Sequence, residues 1–226
     1  MRERGIASRT ETKQLIADGR VTVNGIVAES HSMLCSETDV IAVDGKTVAV
    51  AVPVYLMLHK PAGCVTATSD ETEQTVMDLL PEAYREMALF PVGRLDKESE
   101  GLLLLTNDGS FCTRVIEPEH HVPKTYYIEV GRAFASDTEE KFAEGITFPN
   151  GTVCRPGQIE IGDDRLSALV TVTEGKTHQV RRMAAACGSK VRYLKRVSIG
   201  KLVMEESLQK GQCRELTEEE LKLIFE

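Results

Sequence analysis

The chain has 226 residues, a hydrophobic fraction of 42% and a formal net charge of -8, enough for one good-sized domain or a small module followed by a larger one. No apolar run is long enough to cross a bilayer and the charged N-terminus lacks a secretory core, so a cytoplasmic protein without a membrane partner is expected. The six cysteines are widely scattered with no C-x-x-C pair, which argues against both a zinc site and a disulfide framework.

Residues 1–48 read as a small unit. Ser8 or Thr10 can cap a helix over 11–17 that Asp18-Gly19 stops. Residues 21–27 then alternate and turn at Asn24-Gly25, a hairpin signal. An apolar link over 48–53 leads into a second unit, 53–226, which opens with a strand over 54–60 and a turn at 61–63. Further strands are predicted at 101–106, 125–130, 158–161, 166–173 and 191–199, and helices at 75–80, 110–116, 136–142, 177–187 and 217–225. Strands and helices do not alternate strictly, so a doubly wound parallel sheet is disfavoured. An α+β fold on a mostly antiparallel, mixed sheet is expected instead.

Within FPVGRLDKESEGLLLLTNDG, the run Gly93-Arg94-Leu95-Asp96 sets a carboxylate on a tight turn, beside an arginine and just before a strand that reads as buried. An aspartate in such a turn is most often only a cap. Two later stretches change its weight: Pro123-Lys124-Thr125-Tyr126-Tyr127, and Gly175 through Met183, GKTHQVRRM. On the helix that Thr177 opens, Val180, Ala184 and Cys187 share a core-facing side, whereas His178 and Arg181 share another that can look into a cleft. A carboxylate that must stay charged while shielded from water needs an opposing cation, and Arg181 is the candidate. The negative net charge argues against a nucleic-acid partner, yet from Lys176 to Lys201 the chain carries Lys176, Arg181, Arg182, Lys190, Arg192, Lys195, Arg196 and Lys201 with no acidic residue among them. A local basic surface is what phosphate contacts require.

In this order, the GRLD, K-x-Y and GKTHQVRRM motifs resemble those of the RsuA family of ribosomal RNA pseudouridine synthases, from about residue 55 to the end. The resemblance implies isomerisation of a specific uridine without metal or other cofactor, with Asp96 as the catalytic carboxylate, Arg181 as its partner and Tyr126 stacked on an extruded uracil. Arg94, Lys124, His178 and Arg182 are expected to meet the RNA; Tyr127, on the opposite face of its strand, is expected to pack. Ahead of this region, GIASRTETKQLIADGRVTVNG resembles the RNA-binding domain of the ribosomal protein S-four type, in which Arg9, Lys13 and Arg20 match the basic groups. Little sequence precedes Gly5, so either that domain's first helix is shortened or the start is misassigned. Lys60-Pro61-Ala62-Gly63 resembles the family's K-P-x-G turn, lining the cleft or serving as a plain turn, and Thr106-Asn107-Asp108-Gly109 is read as structural. The stretches KTYYIEV and GQCRELTEEEL look closest to enzymes acting on small-subunit (16S) ribosomal RNA. The alternatives are large-subunit RNA, a non-catalytic ribosome-assembly factor that keeps the fold, or a glycosidase pairing Asp96 with Glu98 or Glu100. The expected partner is ribosomal RNA or an assembling subunit, and with no heptad seam a monomer is expected.

Overall fold

A computed structural model describes residues 9–36, 39–48, 52–120 and 122–226. Helix α1 (Arg9–Ala17) is followed by the strands β1 (Val21–Val23), β2 (Ile26–Val27), β3 (Ile41–Val43) and β4 (Lys46–Thr47), which form a sheet in the order β2-β1-β3-β4. The expected hairpin is present: Thr22 pairs with Val27 and Val23 with Ile26 across Asn24 and Gly25, both at positive φ. Val21, Val23, Ala28 and Ile41 form its small core, against which Leu15 and Ile16 of α1 pack. Ser8 and part of the apolar link (49–51) lie outside the described residues.

The second unit is built on nine strands: β5 (Tyr55–Lys60), β6 (Phe90–Val92), β7 (Glu100–Thr106), β8 (Lys124–Val130), β9 (Gln158–Ile161), β10 (Ser167–Val172), β11 (Val191–Ile199), β12 (Leu202–Val203) and β13 (Cys213–Glu215). Their main order is β13-β5-β7-β11-β8-β10-β9, with β6 on β7 and β12 on β11. Every pairing is antiparallel except β7 with β11, where Lys195 lies opposite Glu100 and Arg196 opposite Gly101. Because β6 takes residues 104–106 of β7, β11 and β6 divide one edge of that strand between them. The helices α2 (Glu82–Arg85), α3 (Gly109–Ile116), α4 (Thr138–Glu144), α5 (Gln179–Ala186) and α6 (Glu218–Leu223) complete the unit.

The continuous apolar run in β7 has a direct cause: both faces of the strand are covered. Leu102 and Leu104 point into one core with Met57, Phe111 and Val115, while Leu103 and Leu105 point into another with Leu56, Leu58 and Leu80. Each such leucine contributes about 2 kcal/mol by burial. A third core lies between α4, α5 and β8, β10 and β11, and there Val180, Ala184 and Cys187 pack as their spacing predicts. Tyr126 touches both this core and the one holding Leu103, so it sits at their junction.

Two elements differ from expectation. The helix at 75–80 is a single 3-10 turn, Met77–Leu79. The Asp78 carboxylate accepts from both the backbone N–H and the hydroxyl of Thr75, which closes a local turn where the first helical turn was expected to begin. Helix α5 starts at Gln179 rather than Thr177, because His178 adopts a left-handed conformation, φ 51° and ψ 32°. The read of 106–109 holds: Asp108 accepts from the backbone N–H groups of Ser110 and Phe111 to cap α3, and Asn107 ties Val52 and Val54 to the end of β7.

Candidate active site

The turn from β6 to β7 carries Asp96. Gly93 takes φ 74°, a conformation glycine adopts without strain, and turns the chain immediately after β6. The segment is then pinned from below. The Thr66 hydroxyl donates to the Leu95 carbonyl at 2.7 Å and accepts from the Leu95 N–H at 3.2 Å. Lys60, at the end of β5, is fully buried, and its ammonium donates to the carbonyls of Pro61, Asp96, Lys97 and Ser99 at 2.9–3.3 Å. Burial pushes the Lys60 pKa down, while nearby Cys64, Asp96 and Glu100 oppose the shift. A lone buried cation here serves as a hub that joins backbone acceptors of two segments, adding to the N–H donors that the Asp96 and Lys97 carbonyls receive from Ser99 and Gly63.

The opposite wall is the segment 174–181. Glu174 is buried and accepts from the Arg155 N–H at 3.0 Å, from the Gln179 amide at 2.8 Å and from the Lys176 ammonium. Burial alone would raise its pKa; Lys176 and the other donors hold it below the usual carboxylate value. Gln179 also accepts from the Lys176 N–H, so one side chain closes the loop at both ends. This frame presents His178 and Arg181 to Asp96. His178 Nε2 lies 3.4 Å from Oδ1, and Arg181 Nε lies 3.9 Å from Oδ2. The Arg181 guanidinium donates to the Ser99 hydroxyl at 3.3 Å, while its Nε has no hydrogen-bond partner. Asp96 therefore stands between an imidazole and a guanidinium in a cleft of about 470 Å³ that Tyr126, Leu194 and Arg94 also line. That volume is in the range of small-ligand sites.

The expected site residues fall into three groups. Asp96, Tyr126, Arg181, His178 and Arg94 meet at the cleft; Arg94 is exposed, with no hydrogen bond or ion pair among the described residues. Lys124 also lines it but faces inward, its ammonium donating to the carbonyls of Val115 and Val122 at 2.9 Å each. A lysine at a strand start reads as exposed; here the end of α3 supplies acceptors that draw it inside. Arg182 stacks on Phe148, with its guanidinium carbon 3.8 Å from the ring centroid, and donates to Asn150, so packing holds it rather than solvent. Lys13 and Arg20 lie away in the first unit, Lys13 exposed and Arg20 paired with Asp44 through two hydrogen bonds. The Arg9 side chain lies outside the described residues. Tyr127 pairs edge-to-face with Tyr193 on the opposite side of β8, as expected for packing.

Sequence reading missed the full weight of Lys60 and Glu174. The K-P-x-G turn was visible, but the carbonyls that Lys60 serves come from residues 61 and 96–99. Among the described residues no His, Cys, Asp and Glu cluster is arranged to hold a metal, and no helix is long and apolar enough to cross a membrane.

A mixed sheet thus sets one aspartate on the β6–β7 turn, beside an arginine and a histidine from the start of α5, in a cleft of small-ligand size. The family described as RNA pseudouridylate synthase matches residues 54–186, and the S4 domain matches residues 1–41. An uncharacterized RNA pseudouridine synthase of Bacillus subtilis, YtzG, is 39% identical over 98% of this chain and 95% of its own length. The ribosomal small subunit pseudouridine synthase A of Vibrio cholerae is 38% identical over 96% of this chain and 94% of its own. A crystal structure of a pseudouridylate synthase superposes with a TM-score of 0.74 at 33% identity, covering 98% of this chain and 96% of that one. The chain belongs to the RNA pseudouridylate synthase family, with an S4 domain at its N-terminus.

Proposed function

We propose that this enzyme isomerises one uridine of small-subunit ribosomal RNA to pseudouridine, with residues 1–48 as an RNA-binding module and 53–226 as the catalytic domain. The observation that carries this reading is the Asp96 carboxylate between His178 Nε2 at 3.4 Å and Arg181 Nε at 3.9 Å, facing Tyr126 across a nucleotide-sized cleft. In the reaction the bond from ribose C1′ to base N1 breaks and a bond from C1′ to C5 forms. C5 gives up its proton and N1 gains one, so the product has the same atoms and redox state as the substrate.

Asp96 is the group that acts on the ribose or the base. Arg181 offsets its charge, Arg181 and His178 fix its direction, and Ser99 fixes Arg181 in turn. Tyr126 offers its ring to the uracil, while unpartnered Arg94 at the rim meets the strand next to the vacated stack. Extrusion of the base costs a few kcal/mol, which an unpaired or looped target reduces. Small-subunit RNA is the favoured substrate because the Vibrio cholerae relative, matched along nearly its whole length, carries that specificity in its name. The enzyme works as a monomer in the cytoplasm.

Pseudouridine mapping of small-subunit RNA after incubation with wild type and with Asp96→Asn tests this. A single new site made only by wild type is expected. Wild-type modification of large-subunit RNA alone would overturn the substrate; silence on both RNAs, or full activity of Asp96→Asn, would overturn the mechanism.

A further inference from the structure

Behind Tyr126 the cleft has an inner wall of two cations to which the reading above gives no chemical step. Arg196 lies opposite Tyr126 in the β8–β11 register, its guanidinium carbon 6.0 Å from the ring centroid. Lys124 begins β8, and both residues line the cleft although only 8% of Lys124 and 3% of Arg196 is exposed. Arg196 Nε donates to the Leu102 carbonyl at 2.7 Å, but its Nη2 is buried without any partner. Lys124 spends two of its three N–H groups on the carbonyls of Val115 and Val122.

No carboxylate makes an ion pair with either cation among the described residues, and Arg196 adds to the burial that depresses the Lys124 pKa. Elsewhere in the site buried charge is either matched, Glu174 with Lys176, Glu100 with Lys210 and Asp96 with Arg181, or, at Lys60, fully spent on backbone carbonyls. Two desolvated cations and an orphan N–H are a costly arrangement for packing alone. They suit an anion that arrives with the substrate.

We infer that Lys124 and Arg196 form an anion subsite that receives one backbone phosphate of the RNA strand carrying the target uridine. The inference rests on the pseudouridine synthase reading for the identity of the strand, while the subsite itself rests on the unmatched charge. A phosphodiester carries one negative charge on two free oxygens, one for the Arg196 Nη2 donor and one for the remaining Lys124 N–H. Held there, the phosphate keeps the extruded nucleotide from returning to its stack.

The test is thermal unfolding of the full chain in chloride, with inorganic phosphate replacing chloride at equal ionic strength, and with the dinucleotide UpU or uridine added. Wild type, Lys124→Met and Arg196→Lys are compared, each against its own Tm in chloride. At about ten times the dissociation constant, phosphate and UpU should each raise the wild-type Tm by about 3 °C. Lys124→Met should lose most of that increment and Arg196→Lys at least half, while the response to uridine stays the same in all three. Equal increments in wild type and variants, or none in wild type, would overturn the subsite. So would variants that melt lower in chloride yet keep the full increment, the signature of a purely structural role. A rise with phosphate but none with UpU would overturn the RNA-backbone assignment in favour of a free ion. None of these readouts requires turnover, so they can fail or succeed independently of the mapping experiment.

Discussion

Lys60 shows how one side chain can set the geometry of a site it does not enter. Its ammonium is the common donor for the carbonyls of Asp96, Lys97 and Ser99 and for that of Pro61, and it is fully buried, so no water can replace it. Lys60→Met keeps the length and apolar character of the stem and removes only the donor. Losing the shared buried donor, which leaves the Ser99 carbonyl without its Lys60 bond and weakens the other three, should cost about 2 kcal/mol of stability, read as a lower urea midpoint with unchanged slope. The freed Asp96 turn should also lower turnover by at least about tenfold, with RNA affinity less affected. The residues whose place in the cleft was legible in the sequence, Asp96 and Arg181, belong to short motifs with local turn and helix signals. Lys60, Lys124 and Arg182 were less legible because their partners come from other segments: the loop around 96, the end of α3, and Phe148 with Asn150. Local composition gives a charged side chain no preference for one distant carbonyl over another.

At the scale of elements, the close approach of β7 to β11 is a backbone constraint that no side chain can relax. Gly101 sits at φ 108°, and a Cβ built there would lie 2.2 Å from the Arg196 carbonyl oxygen and 2.6 Å from its nitrogen. Backbone atoms supply the obstruction, so no rotamer change relieves it. Gly101→Ala should destabilise the domain by about 3 kcal/mol through backbone strain and forced separation of the parallel pair, measured by chemical denaturation. Long strands were legible where burial dictates their pattern: the leucine run of β7 and the alternation in β8 and β10. The three-residue strand β6 was not. It contains Pro91 and is held by pairing to residues 104–106 of β7, which no feature of Phe90-Pro91-Val92 announces. Nor was the late start of α5, since His178 adopts a left-handed backbone that its residue type does not require.

For the molecule as a whole, the buried cations predict how stability varies with pH. The Lys124 pKa is pushed down to about 8 by burial and then by Arg196, against an ordinary value of 10.5. Between those values the unfolded chain binds more protons at this group than the folded chain does, so its contribution to stability rises with pH. Below about 8 the buried group must be held charged, a cost that fades as pH rises. Lys124→Met removes that cost but takes the donor from the Val115 and Val122 carbonyls, so its stability relative to wild type should be highest near pH 7 and fall by up to about 3 kcal/mol as pH approaches 10.5. Denaturation of both proteins in chloride buffers at pH 7, 8, 9 and 10 gives the difference directly. A constant difference across that range would contradict the titration of Lys124.

Strand β11 lies between β7 and β8 although it follows both by many residues in the chain. During synthesis, the part ending at β7 and the part built on β8, β10 and β9 can each begin to fold, but each presents a bare strand edge toward the other. Only when residues 191–199 have emerged can that gap close, bringing the Asp96 turn and the Arg181 helix into one body. The cleft around Asp96 is thus among the last features a nascent chain acquires, and an unfinished copy lacks it while exposing strand edges that invite aggregation.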